Sequence, residues 1–129
     1  MDLPIVRVPI ELPKYRLANG RTSSLQAEYL AKNISVRDDI FSGDAELWDA
    51  QTAQHELLLL VVKKQDLRKT FEDPANKQIE PILLDEHGFV VNGNRRLCCW
   101  RDLYYQDSSR YGHFAYIDVA VLQIGRAHV

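Results

Sequence analysis

The residues with the greatest capacity for chemistry lie in one short run, Asn92-Gly93-Asn94-Arg95-Arg96. Arginines are permanently charged, forked donors that match phosphate oxygens, and a glycine beside them lets the backbone come close to a ligand. Leu97, Cys99, Trp100, Leu103 and Tyr104 follow at helical spacing, so the arginines open a helix. Helix starts expose unpaired N–H groups and a partial positive charge, which stabilise an anion placed there. Arg96 precedes Cys99 by three residues and Leu103 by seven, which sets it on the inward face. A guanidinium in that position needs an anion or a carboxylate. The other reading open at this point pairs Arg96 with Asp85 or another acid and makes Asn92-Gly93-Asn94 an ordinary turn.

Elsewhere the sequence offers less chemistry. Cys98 and Cys99 are adjacent, which rules out an ordinary cross-link between them and lacks the spacing of a metal site, so they read as buried, reduced thiols. His55, His87 and His113 belong to no His/Asp/Glu cluster at ligand spacing; no metal site is expected, and His55 reads as a solvated or capped side chain. Tyr104, Tyr105, Tyr111, Phe114 and Tyr116 read as packing around a helix end, and Lys63, Lys64, Arg68 and Lys69, interleaved with acids, as a solvated face.

The elements that must position the run can be sketched. Ile5–Leu12 is β-branched and alternating, a strand that Pro9 places near a sheet edge. A loop carrying Arg16, Asn19-Gly20 and Arg21 leads to a helix capped by Thr22 or Ser23, with Leu25, Tyr29, Leu30 and Ile34 as its apolar positions. Ser42-Gly43-Asp44 starts the longest helix, through Leu47, Gln54, Leu57, Leu58, Val61 and Val62. A short helix over 65–71 ends at Asp73-Pro74. From Pro81 the order is strand, tight turn at Asp85–Gly88, strand, glycine loop, helix, and Tyr116–Leu122 is a last strand.

At 129 residues the chain fits one domain, and 46% hydrophobic with 26% charged residues is the composition of a folded protein. No apolar run approaches the ~18 residues of a membrane span, and the start lacks a signal peptide, so a cytoplasmic location without membrane partners is expected. The tail Ile124–Val129 matches the translation of a short-read sequencing adapter in one frame. The native domain is therefore expected to occupy residues 1–123 and to continue beyond Gln123. Without Arg126 the 16 Lys+Arg become 15 against 18 Asp+Glu, a formal charge of −3 rather than −2. That balance is a poor footprint for wrapping DNA, so DNA contact is expected from sequence that follows.

From Gln78 to Leu103 the pattern Q-x-x-P-I-x-x-D-x-x-G-x-x-V-x-G-x-R-R-L resembles the core of ParB N-terminal domains, in the ParB/sulfiredoxin superfamily. The resemblance implies a small α+β fold, a mixed sheet with packed helices. It also implies a GxxR loop that binds phosphates, as ParB binds CTP with magnesium. Carried over, Gly93, Arg95 and Arg96 match the motif with Asn92 and Asn94 as further donors, and Gln78 and Pro81 match the segment beside the nucleotide base. Asn19-Gly20-Arg21 is similar to the family's arginine-bearing segment, which makes Arg21, with Arg16, a secondary candidate. Asn94 stands where ParB has an acid and sulfiredoxin its catalytic cysteine. This weakens the case for hydrolysis more than for binding and removes thiol chemistry. The expected function is nucleotide or phosphate binding in a DNA-associated protein, with homodimerisation as a further expectation. A magnesium-dependent hydrolase or nuclease and a non-catalytic interaction module are the alternatives.

Overall fold

The computed structural model describes residues 3–18, 20, 22–64 and 66–122. Arg21, Asn19 and the tail from Gln123 onward lie outside the described residues, so the expectations placed on them are not addressed by it. The elements are β1 (Ile5–Pro9), α1 (Ser23–Lys32), α2 (Trp48–Lys64), α3 (Leu67–Glu72), β2 (Ile82–Leu84), β3 (Val90–Asn92), α4 (Asn94–Gln106), a single 3-10 turn (Gly112–Phe114) and β4 (Tyr116–Val121). The strands form one sheet in the order β1-β4-β2-β3. β1 pairs antiparallel with β4, β4 parallel with β2, and β2 antiparallel with β3, so the sheet is mixed and the class α+β. Pro9 does sit on an edge strand.

One apolar core explains why the sheet and helices meet. Val8, Ile82, Leu84, Val90, Ile117 and Val119 from the sheet pack against Leu97, Cys98, Cys99, Trp100 and Leu103 of α4 and Leu58 and Val62 of α2. Phe71, Trp100 and Phe114 close one end with an edge-to-face and a stacked ring contact. A smaller cluster of Leu17, Ile40, Ala50 and Ala53 lies under the loops before α2. As expected, the two cysteines are buried and reduced, and burial pushes the Cys99 thiol up to about 12. Tyr111 and Phe114 are core residues, whereas Tyr105 and Tyr116 are exposed.

Several boundaries differ from those read in the sequence. α2 starts at Trp48 because Asp44 spends its carboxylate on an Asx turn, accepting from the Glu46 N–H at 3.0 Å, and its carbonyl accepts from Leu47. α1 ends before Ile34, which is 93% exposed; Thr22 is its N-cap residue, but the buried hydroxyl makes no cap bond and accepts from Gln54 Nε2 at 3.1 Å. α3 begins only at Leu67, after Asp66 at φ +54°. His55 is mostly buried rather than solvated, with Nδ1 2.6 Å from the Tyr15 hydroxyl, and desolvation lowers its pKa.

Two devices hold the loop that carries Arg16 against the sheet. Lys14 bridges to the free side of β3, its N–H donating to Gly88 O at 2.9 Å and its carbonyl accepting from Val90 N at 2.9 Å. Gln51 of α2 then brackets Tyr15: Oε1 accepts its N–H at 2.7 Å, and Nε2 donates to its carbonyl at 2.9 Å. A side-chain amide thus imitates a β-ladder partner, so Arg16 emerges beside β3 from a fixed backbone.

Candidate functional site

α4 begins at Asn94, within the Asn92–Arg96 run expected to open a helix. Gly93 is its N-cap residue with φ +117° and ψ 15°, a conformation that L side chains rarely adopt. A Cβ on Gly93 would also overlap Ile82 Cδ1 and come within 3.0 Å of Arg96 Nη2. The glycine is therefore required twice, for its backbone angle and to let the Arg96 side chain fold back across it. No side chain caps this helix end and no acid occupies its first turn, so its positive field is not neutralised within the helix.

A cavity of about 510 Å³ opens over this helix start. Arg16, Ala18, Gly20, Leu67, Val90, Val91 and all five residues from Asn92 to Arg96 line it. The structure thus brings together the whole predicted run and the more distant Arg16. No Asp or Glu is among the described lining residues.

The three arginines differ in what holds them. Arg16 donates through Nη2 to Asp85 Oδ2 at 3.3 Å and through Nε to Val90 O at 3.3 Å. Asp85 also accepts the His87 and Phe89 N–H groups on Oδ1, so it organises the β2–β3 turn and holds Arg16 with one carboxylate. Arg96, by contrast, reaches only a backbone oxygen, Glu80 O at 3.2 Å from Nη1, with its guanidinium carbon 6.0 Å from the centre of the Trp100 ring. Among the described residues no carboxylate neutralises it. The alternative partner Asp85 is taken by Arg16. Arg95 is partly buried and has a partner of its own.

Asn94 Nδ2 donates to Arg16 O at 3.3 Å, while its Oδ1 is buried with no partner among the described residues. That tie links the helix start to the Arg16 loop and leaves one acceptor for a donor group to complete. Gln78 is committed elsewhere: Oε1 accepts the Asp118 N–H at 2.7 Å, and Nε2 donates to Asp118 O at 2.8 Å and Glu80 O at 2.9 Å. It fastens the segment before β2 to β4 and does not line the cavity. Pro81 lies next to Glu80, whose carbonyl holds Arg96, and does not line it either. Leu67 and Ala18, which do line it, carried no signal in the sequence, since apolar residues become a cavity wall only through the packing of α3 and the Arg16 loop.

No group of three or more metal-ligating side chains is found among the described residues. None of their helices is long and apolar enough to cross a membrane. No family model, curated protein or solved structure matches the chain.

Proposed function

We propose that the chain binds a phosphate-bearing ligand, most simply a nucleotide, at the start of α4, as the ParB-like reading implies. The observation that carries this reading is Arg96, a guanidinium with no neutralising carboxylate among the described residues, held over a glycine N-cap. Arg16, which Asp85 holds, and Arg95 line the same cavity, whose described lining includes no Asp or Glu. Fixed cations and a helix start aimed at one space favour an anion. The volume of about 510 Å³ lies in the range of small-molecule sites. The unpartnered Asn94 Oδ1 favours a ligand with a donor group, such as a sugar hydroxyl or a base amine, in addition to phosphate oxygens.

The described lining offers guanidiniums and amides rather than carboxylates, so a magnesium ion would be carried on the ligand's own phosphates. Binding rather than hydrolysis is therefore the function proposed. DNA-associated work, in a ParB-like protein, would fall to other surfaces, consistent with a formal charge of −2 over the 129 residues.

Calorimetric titration with CTP, ATP, GTP and pyrophosphate, with and without magnesium, tests the proposal. Saturable binding is expected, weakened about 100-fold in Arg96→Ala, the loss of roughly two charge-assisted hydrogen bonds. Failure of all four ligands to bind at millimolar concentration would refute it and favour an interaction module in which a partner's carboxylate meets Arg96.

A further inference from the structure

A smaller cleft, of about 270 Å³, adjoins the arginine cavity, and Arg16 and Ala18 line both. Its other walls come from three stretches of chain: Leu17 beside Arg16, Phe41 and Ala45 from the segment before α2, and Asp85 and Phe89 from the β2–β3 turn. Most of this lining is apolar, whereas the neighbouring cavity carries three arginines and two asparagines. Phe41 and Phe89 keep part of their surface out of the core. Phe41 meets Tyr29 edge to face with centroids 5.6 Å apart, and Phe89 has the Lys14 ammonium 4.5 Å from its ring centre, so each ring is positioned by a neighbour and still borders open space.

Charge and size limit what can enter. In the described lining the charged residues are Arg16 and Asp85, which pair with each other at 3.3 Å, so the cleft is neutral as a whole. A further phosphate here would face Asp85, and a cation would meet Arg16. A neutral flat ring with donors at its edge meets neither objection. Aromatic walls can cover its faces, and Asp85 Oδ2, which accepts one bond of 3.3 Å from Arg16, keeps lone-pair capacity for a ring N–H. The volume falls below the roughly 300 Å³ at which sites for whole small molecules begin, which suits a subsite for one ring system of a larger ligand.

We infer that this cleft takes the aromatic base of a nucleoside phosphate whose phosphates lie over the start of α4; the inference rests on the anion-binding reading given above. It sets the base on the Phe41 and Phe89 side of Arg16, rather than beside Gln78 and Pro81, where the ParB resemblance places it. The cleft in which Gln78 does take part, with Phe71 and Ile79, shares no described lining residue with the arginine cavity. The Phe41 and Phe89 cleft shares two, and a single ligand can span that junction along Arg16.

Calorimetry of the whole chain with inorganic triphosphate, ATP, GTP and CTP tests this. At least one nucleotide should bind about tenfold more tightly than triphosphate, the gain from stacking one base on aromatic side chains. Phe41→Leu and Phe89→Leu, each checked for an intact fold by circular dichroism, should reduce that margin to about twofold and leave triphosphate affinity at the wild-type value. Gln78→Ala should preserve the margin. Nucleotides that bind no more tightly than triphosphate, a margin that survives both Phe variants, or one lost in Gln78→Ala alone would overturn the base subsite and leave the phosphate site standing. Absence of binding by triphosphate and nucleotides alike would remove the phosphate site itself, and this inference with it.

Discussion

Arg96 and Arg101 stand five residues apart on one helix and serve opposite ends. Arg101 is almost fully buried, and its donors are matched to fixed acceptors: Nε and Nη2 to Ile10 O at 3.0 and 2.8 Å, and Nη2 to Pro13 O at 2.6 Å. Its guanidinium carbon lies 4.8 Å from the centre of the Tyr15 ring. Arg96 is partly buried and has one such bond, to Glu80 O. Arg101 is tied into the fold by several bonds, whereas Arg96 keeps donors in reserve, and the difference is visible in the partners rather than in the residue type.

The largest effect should come from the satisfied arginine. Arg101→Met removes the donors for two buried carbonyls beyond β1, and chemical denaturation should show a loss of about 3 kcal/mol. Arg96→Ala, measured the same way, should stay within about 1 kcal/mol of wild type while abolishing most anion binding. Equal destabilisation by the two would erase the distinction.

Gly93→Ala should fall next, at about 2 kcal/mol. It forces a side chain to φ +117° and against Ile82. It should also displace Arg96, so thermal melting and ligand titration should report both a lower Tm and weaker binding. A variant that kept full affinity would show that the fold of Arg96 over Gly93 is not needed.

His55 sharpens the comparison at the Tyr15 end of α4. Desolvation lowers its pKa below the ordinary 6.5, so the unfolded chain binds the extra proton first. Its contribution to stability is present above pH 6.5 and is lost as pH falls below that value towards the folded-state pKa. His55→Gln should flatten the fall in stability between about pH 7.5 and 5, read from chemical denaturation at each pH. An unchanged slope would mean that other groups cause the acid sensitivity.

The smallest effect is expected at Asp85. Asp85→Asn keeps an acceptor for the β2–β3 turn and removes the charge that holds Arg16. Anion affinity in calorimetry should rise about threefold, and a fall would show that Arg16 must be held by Asp85 to serve the cavity.

The central run of the candidate site was legible in the sequence because its parts are local. Gly93, Asn94, Arg95 and Arg96 are consecutive, and helix periodicity alone fixes where they stand. The order of elements from β2 to α4 was legible for the same reason. What was not legible depends on contacts distant in sequence. The role of Arg101 follows from a chain segment some ninety residues earlier, the burial of His55 from Tyr15, and the commitment of Gln78 from β4. The late start of α2 reflects a competition between an Asx turn and a helix cap, which the same residues, Ser42-Gly43-Asp44, signal equally well.

The most direct test of the central claim is an amide NMR titration of the chain with pyrophosphate. The structure predicts large, saturable shifts confined to the N–H groups of Gly93 through Leu97, with smaller ones around Arg16, and none around Trp48. Unshifted amides at the start of α4, or shifts centred on any other element, would contradict it.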